Sequence, residues 1–204
     1  MDADVSYSAA SIRDAPIRLT SASVRVRLDA GLLRASPVRL DLPRGRVEGF
    51  VNLDARKAVP ATDLDLRLVN SRIETLIPLR YEGSAPVTGG LVARARLTGS
   101  GASVHQAFAG ANGDVVVVAP GGEIRKAFAE LLGVNVVKGL GLLMSKDTST
   151  TPINCGVAHF QSRRGILTAD RIVFDTGPVL VTGSGTIDLG AERMDLRLRG
   201  QDKK

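Results

Sequence analysis

The 204-residue chain is 44% hydrophobic and 24% charged, a balance that supplies a core and excludes a disordered chain. Its net charge is +6, yet the basic residues alternate with apolar ones instead of forming blocks. Five Phe, two Tyr and no Trp give little surface for stacking bases, which argues against nucleic acid as a partner and leaves attraction to anionic lipid headgroups open.

Cys155 is the single cysteine, so no intrachain disulfide can form and no thiolate metal cluster can be built. No stretch approaches the roughly 18 consecutive apolar residues of a membrane span. The opening MDADVSYSAASIRD lacks the basic and apolar regions of a signal peptide. Either the protein is soluble or its anchor lies outside this sequence.

In chain order, the first clear element alternates with period two: Val24, Val26 and Leu28 face one way, and Arg25, Arg27 and Asp29 the other, the mark of a strand with one buried and one wet face. Turn residues follow at Pro43 to Gly45, and a second alternation separates Leu64, Leu66 and Leu68 from Asp63, Asp65 and Arg67. Breakers at Gly83 to Pro86, Gly89, Gly90 and Gly99 to Gly101 bracket a further hairpin, GGLVARARLTGSG. From Gly122 to Lys146 the pattern changes, with Ile124, Phe128, Leu131 and Leu132 at helical spacing. Gly133 is placed to end that helix, and Val136 to Met144 reads as a second, glycine-weakened one. The last alternation sets Met194, Leu196 and Leu198 against Asp195, Arg197 and Arg199. Turns spaced near ten residues suit antiparallel hairpins better than parallel crossovers.

The chain also repeats itself. GLLRASPVRLDLPRGRVEGFVNLDA from Gly31, followed by DLDLRL, matches GILTADRIVFDTGPVLVTGSGTIDL from Gly165, followed by MDLRL. In that register Ala35 meets Ala169, Asp41 meets Asp175 and Gly49 meets Gly183, so residues 31–68 and 165–198 form two related units. Repetition of a few-stranded unit predicts an elongated sheet that grows by adding hairpins. Gly49, Gly183 and Gly185 are placed for bends or bulges that curve it.

Chemistry is sparse. The only histidines are His105 and His159. Cys155 and His159 share a strand face but lie four residues, roughly 13 Å, apart, too far for proton transfer; Cys155 is expected to be a small buried hydrophobe. Asp63, Asp65, Asp188 and Asp195 lie among arginines and read as solvated ion pairs. No metal-ligand or Walker pattern occurs. GSGASVHQAFAG is a turn entering a short helix or strand, and PGGEIRKAF starts a helix whose dipole Glu123 complements. The expectations are no catalytic, cofactor or metal site, and no enzyme. By periodicity alone, the Val and Leu face is an ordinary core covered by the helical segment.

The series GRVEGFVNLDA, GGLVARARLTGSGASVHQAFAGANGDVVVVAPGGEI and INCGVAHFQSRRGILTADRIVFDTGPVLVTGSGTIDLGAERMDLRLRG resembles the C-terminal region of the AsmA family, related to bridge-like lipid transfer proteins. The resemblance implies a mainly β fold: a single domain over 1–204, an elongated, curved antiparallel sheet of repeated hairpins forming a groove, with one helical segment near 122–146. It implies a periplasmic part of a protein tethered to the inner membrane by an N-terminal helix, taking part in phospholipid transport and outer-membrane biogenesis. Phospholipid acyl chains are the expected partners, with the membrane surface or outer-membrane assembly proteins beside them. The candidate groove lining is Val24, Val26, Leu28, Leu40, Val51, Leu53, Leu64, Leu66, Ile172, Phe174, Val181, Ile187 and Leu196. The alternative is a non-enzymatic scaffold or regulator of outer-membrane protein assembly and localisation.

Overall fold

The structure, a computed structural model, describes residues 2–10, 12, 19–77, 80, 83–132, 140–142, 144 and 148–203. Twelve strands form one sheet: β1 (Ala3–Ala9), β2 (Ser21–Asp29), β3 (Leu32–Asp41), β4 (Arg46–Asp54), β5 (Ala61–Arg72), β6 (Val87–Ser100), β7 (Asn112–Ala119), β8 (Gly122–Arg125), β9 (Thr150–Arg163), β10 (Ile166–Thr176), β11 (Val179–Asp188) and β12 (Arg193–Asp202). The spatial order is β1-β2-β3-β4-β5-β6-β7-β9-β10-β11-β12, and every pairing is antiparallel. β8 also pairs with β6 and β9, continuing the lane of β7 after an interruption at Pro120 and Gly121. Proline has no N–H for the ladder, which accounts for the break.

The sequence repeat is a repeat of structure. β2–β3 and β9–β10 turn through Ala30–Gly31 and Arg164–Gly165, whose φ values of 44° and 87°, and 51° and 77°, give the left-handed pairs that two-residue hairpins favour. Gly31 O accepts from Ala55 N, and Gly165 O accepts from Leu189 N, both at 2.9 Å. The ladder shifts between Ala35 and Val38 in one unit and between Thr168 and Ile172 in the other. Each unit therefore gains a strand ahead of the sequence match, β2 to β5 in one and β9 to β12 in the other. One detail departs from the sequence register. A Cβ on Gly49 would lie 1.9 Å from Asp65 O, and the same crowding recurs at Gly185, 2.1 Å from Asp195 O, not at Gly183. Both have φ far into the region favouring glycine, 151° and 134°. The backbone approach has moved by two residues, one pleat period, which keeps it on the same face.

Helices occupy less of the chain than the spacing predicted around 122–146. Gly122–Arg125 is strand β8, and Ile124 belongs to the sheet. Glu123 accepts from Thr150 Oγ1 on β9 instead of serving a helix dipole. The helix begins only at Lys126 (α3, Lys126–Leu132). The two edges offered by β6 and β9 satisfy the backbone of these four residues, and that tertiary pairing overrides a helical spacing. Gly133 and residues 136–139 and 143 of the second expected helix lie outside the described residues; its described residues, 140–142 and 144, are helical. Of the two other short helices, α1 (Ile73–Leu76) was not expected, while α2 (Val104–Ala109), started by Ser103, whose side chain accepts from Gln106 N, resolves the short helix or strand expected in GSGASVHQAFAG as a helix. α1 packs on β5 and β6, α2 on β6, and α3 on β8, β9 and β11. A hydrophobic cluster forms around α3, where Ile124, Ala129 and Ile153 are buried with Val87, Phe128 and Phe174 against them.

Candidate functional site

Register fixes which residues share a face. Starting from Leu64, the cross-strand partners on one side are Val51 on β4, Ala35 on β3, Val26 on β2 and Val5 on β1. On the other side, Leu64 meets Leu97 on β6, and Leu66 meets Ala95, which meets Val115 on β7 and then Phe160 on β9. From Ala158 the row continues through Ile172, Gly183 and Leu198. One face of the sheet is thus apolar from β1 to β12. All thirteen candidate lining residues fall on it: Leu40 opposite Val47, Leu53 opposite Leu33, Phe174 opposite Val181 and Ile187 opposite Met194. Ten strand spacings of ~4.8 Å make it about 48 Å across.

This face is incompletely covered. Leu64 and Val181 are buried, but Val24, Val26, Leu28, Leu40, Val51, Leu53, Leu66, Ile172, Phe174, Ile187 and Leu196 are only half-buried. At the edges Tyr7 on β1 and Met194 on β12 are 61% and 69% exposed. Among the described residues, covering by the helical segment, which periodicity alone predicts, is seen around α3 and Ile124. Contiguous apolar patches above a few hundred Å² are rare on soluble monomers and mark interaction surfaces.

On this face lies a pocket of about 430 Å³ between α1, α3 and strands β6 to β10. Its lining includes Ile73, Ile77, Val87, Leu91, Val117, Ala119, Ile124, Leu132, Ala158, Ile172 and Phe174. Among the described residues, none that lines it has a polar side chain. Gly156 keeps the floor low, since a Cβ there would meet Phe174 Cδ2 at 3.0 Å and Ala119 Cβ at 3.3 Å. A site without a donor or acceptor side chain cannot orient a polar group. It can only withdraw hydrocarbon from water.

Of these, only Ile172 and Phe174 are among the candidates read from the sequence. Ala158 and Gly156 fill alternate positions of NCGVAHF, but small residues give a weak hydropathy alternation. Val115 to Val118 is apolar on both faces, which hides its period. Ile73 and Ile77 lie on and beside a one-turn helix too short to show one.

The opposite face is polar and internally paired. Arg94 Nε donates to Asp65 Oδ1 at 2.8 Å, and a second ion contact joins the same two groups. That guanidinium holds the Asp65 carboxyl below its ordinary range. Arg25 and Arg27 donate to Asp4 and lower it to about 2. Arg56 holds Asp54 low in the same way. Asp188 differs from the expected solvated ion pair, since its Oδ1 accepts from Gly190 N and Ala191 N, both at 2.9 Å, and so closes the β11–β12 turn.

The groups considered for chemistry are dispersed. His105 Nε2 is 3.1 Å from Gly190 O, and His159 Nδ1 is 3.1 Å from Asp170 Oδ2. Cys155 lies opposite Asp175 on the polar face and is half-buried, not buried as expected. Among the described residues no cluster of three or more His, Cys, Asp or Glu is arranged to hold a metal, and no helix is long and apolar enough to cross a membrane.

The AsmA family model matches residues 1–172. The chain is also similar to the AsmA family protein YhjG of Escherichia coli (strain K12), 24% identical over 205 residues that cover 100% of this chain and 29% of that protein. The chain thus spans less than a third of the relative's length. No solved structure matches.

Proposed function

Because this chain belongs to the AsmA family, we propose that its apolar face shields phospholipid acyl chains, as the periplasmic part of an inner-membrane-anchored protein that takes part in lipid transport and outer-membrane biogenesis. The observation that carries this reading is the continuity of the aliphatic face across every lane of an open sheet. A chain moving through an aqueous space loses about 0.8 kcal/mol of favourable transfer energy for each methylene left wet. A lining without gaps therefore serves a conduit, whereas a closed core would need no exposed margin such as Tyr7 and Met194. Headgroups stay at the rim or in water, since the lining offers them no partner. The process has no chemical step, and neither His105 nor His159 takes part.

A photo-crosslinking amino acid at Leu66, compared with one at Arg67, tests the reading. The two are adjacent on β5 and face opposite sides. In cells, Leu66 is expected to capture phospholipid and Arg67 not. Equal labelling at the two positions, or protein adducts at Leu66 without lipid, would contradict the proposal, and the second result would favour the scaffold reading.

A further inference from the structure

The two structural units differ at one edge, and the difference identifies a second surface. In the first unit the closing strand is β5, whose outer edge is occupied by β6 along Ala61 to Arg72. In the second unit the closing strand is β12, which pairs with β11 and, among the described residues, with no strand on its other side. The shared DLRL segment makes Asp65 the equivalent of Asp195, and Arg67 that of Arg197. The geometry repeats with it: Arg67 Nε lies 3.8 Å from Asp65 Oδ1, and Arg197 Nε lies 4.0 Å from Asp195 Oδ1. What differs is the third member. Asp65 is 16% exposed because Arg94 of β6 crosses to it, while Asp195 is 75% exposed.

We propose that the outer edge of β12 accepts an antiparallel strand of the β6 type, in which small or aliphatic residues alternate with arginine and the arginine opposite Arg197 reaches Asp195. In β6 that arginine is Arg94, which sits opposite Arg67 and bonds diagonally to Asp65. The neighbours of Arg94 on the other face, Ala93 and Ala95, continue the row of Leu68 and Leu66. An added strand with the same alternation extends the apolar face past Leu196 and Leu198 and covers Leu198, now 57% exposed. Main-chain hydrogen bonds supply the attachment and the alternating side chains supply the selectivity, the usual division when a strand adds to a sheet edge. The inference rests on the repeat and on an edge left unpaired among the described residues, independently of any lipid role.

The test uses the whole chain with a synthetic peptide of residues 91–99, LVARARLTG, and a second peptide carrying Glu in place of Arg94. Amide hydrogen exchange reads where the peptide adds, and fluorescence anisotropy reads how tightly. The first peptide is expected to protect amides around Leu196 to Leu198. Asp195→Arg is expected to weaken that peptide about tenfold, the size of a charge reversal at a partly covered pair, and to bind the Glu peptide better than the parent does. Protection on β1 instead of β12, affinities that ignore the charge exchange, or no protection at millimolar peptide with the chain folded would each overturn it. Protection of β12 by dimerisation in the absence of peptide would also overturn it, assigning the edge to a second copy of the chain.

Discussion

Ala158→Leu plugs the pocket without offending the fold, and its consequence can be worked from the structure. Ala158 lies on the pocket floor between Val117 on β7 and Ile172 on β10. Leucine adds three carbons to a space bounded by apolar side chains, so an acyl chain loses room for about three methylenes. At about 0.8 kcal/mol each, that is ~2.4 kcal/mol, or roughly a fiftyfold loss of affinity. The same three carbons are withdrawn from water in the folded state, so thermal stability should hold or rise, with an upper bound of about 2.4 kcal/mol. A fluorescent polyene fatty acid titrated into parent and variant measures the first effect, and a thermal melt the second. Loss of binding with an unchanged or higher Tm fits the pocket as an acyl site. Unchanged binding by a folded variant refutes the reasoning, and a lowered Tm would mean that the floor is already packed.

Gly49→Ala should destabilise the chain by about 1–3 kcal/mol in urea denaturation, because the backbone leaves the region open to alanine and the added carbon meets Asp65 O. Thr176→Val should cost about 1–3 kcal/mol by the same assay, since the buried Thr176 hydroxyl donates to Val179 O at 2.8 Å and accepts from Val179 N at 3.1 Å. Asp65→Asn should flatten the acid limb of the stability curve. Arg94 lowers the folded pKa of Asp65, so its contribution is complete above its unfolded pKa of about 4 and disappears as pH falls through the folded value. An asparagine there should remove that dependence, which parallel denaturation series between neutral pH and pH 2 would reveal.

Much of the architecture was legible because period-two alternation leaves few choices. Val24 to Leu28 and Leu64 to Leu68 assign their own faces, and once paired antiparallel they force every neighbour into register. The repeat related residues 31–68 to 165–198 without any coordinates, but the bulges themselves, between Ala35 and Val38 and between Thr168 and Ile172, lie on the strands opposite Gly49 and Gly183 and not at those glycines, where the sequence placed them. The illegible parts have separate causes. Gly122 to Arg125 is strand because two edges wait on either side of it, a tertiary fact that local spacing cannot carry. The pocket floor is built from Gly156, Ala158 and Ala119, whose value lies in the side chain they lack. Asp188 could pass for a surface ion because its turn role depends on the backbone of Gly190 and Ala191. How much of the apolar face the described helices α1, α2 and α3 cover is a matter of tertiary packing, which alternation leaves undetermined.

Native mass spectrometry of the protein purified from cells, followed by extraction and identification of whatever it carries, tests the central claim most directly. Diacyl phospholipid at a defined stoichiometry, reduced in the Ala158→Leu variant, is the predicted result. Folded protein that is consistently free of lipid, in parent and variant alike, would contradict it.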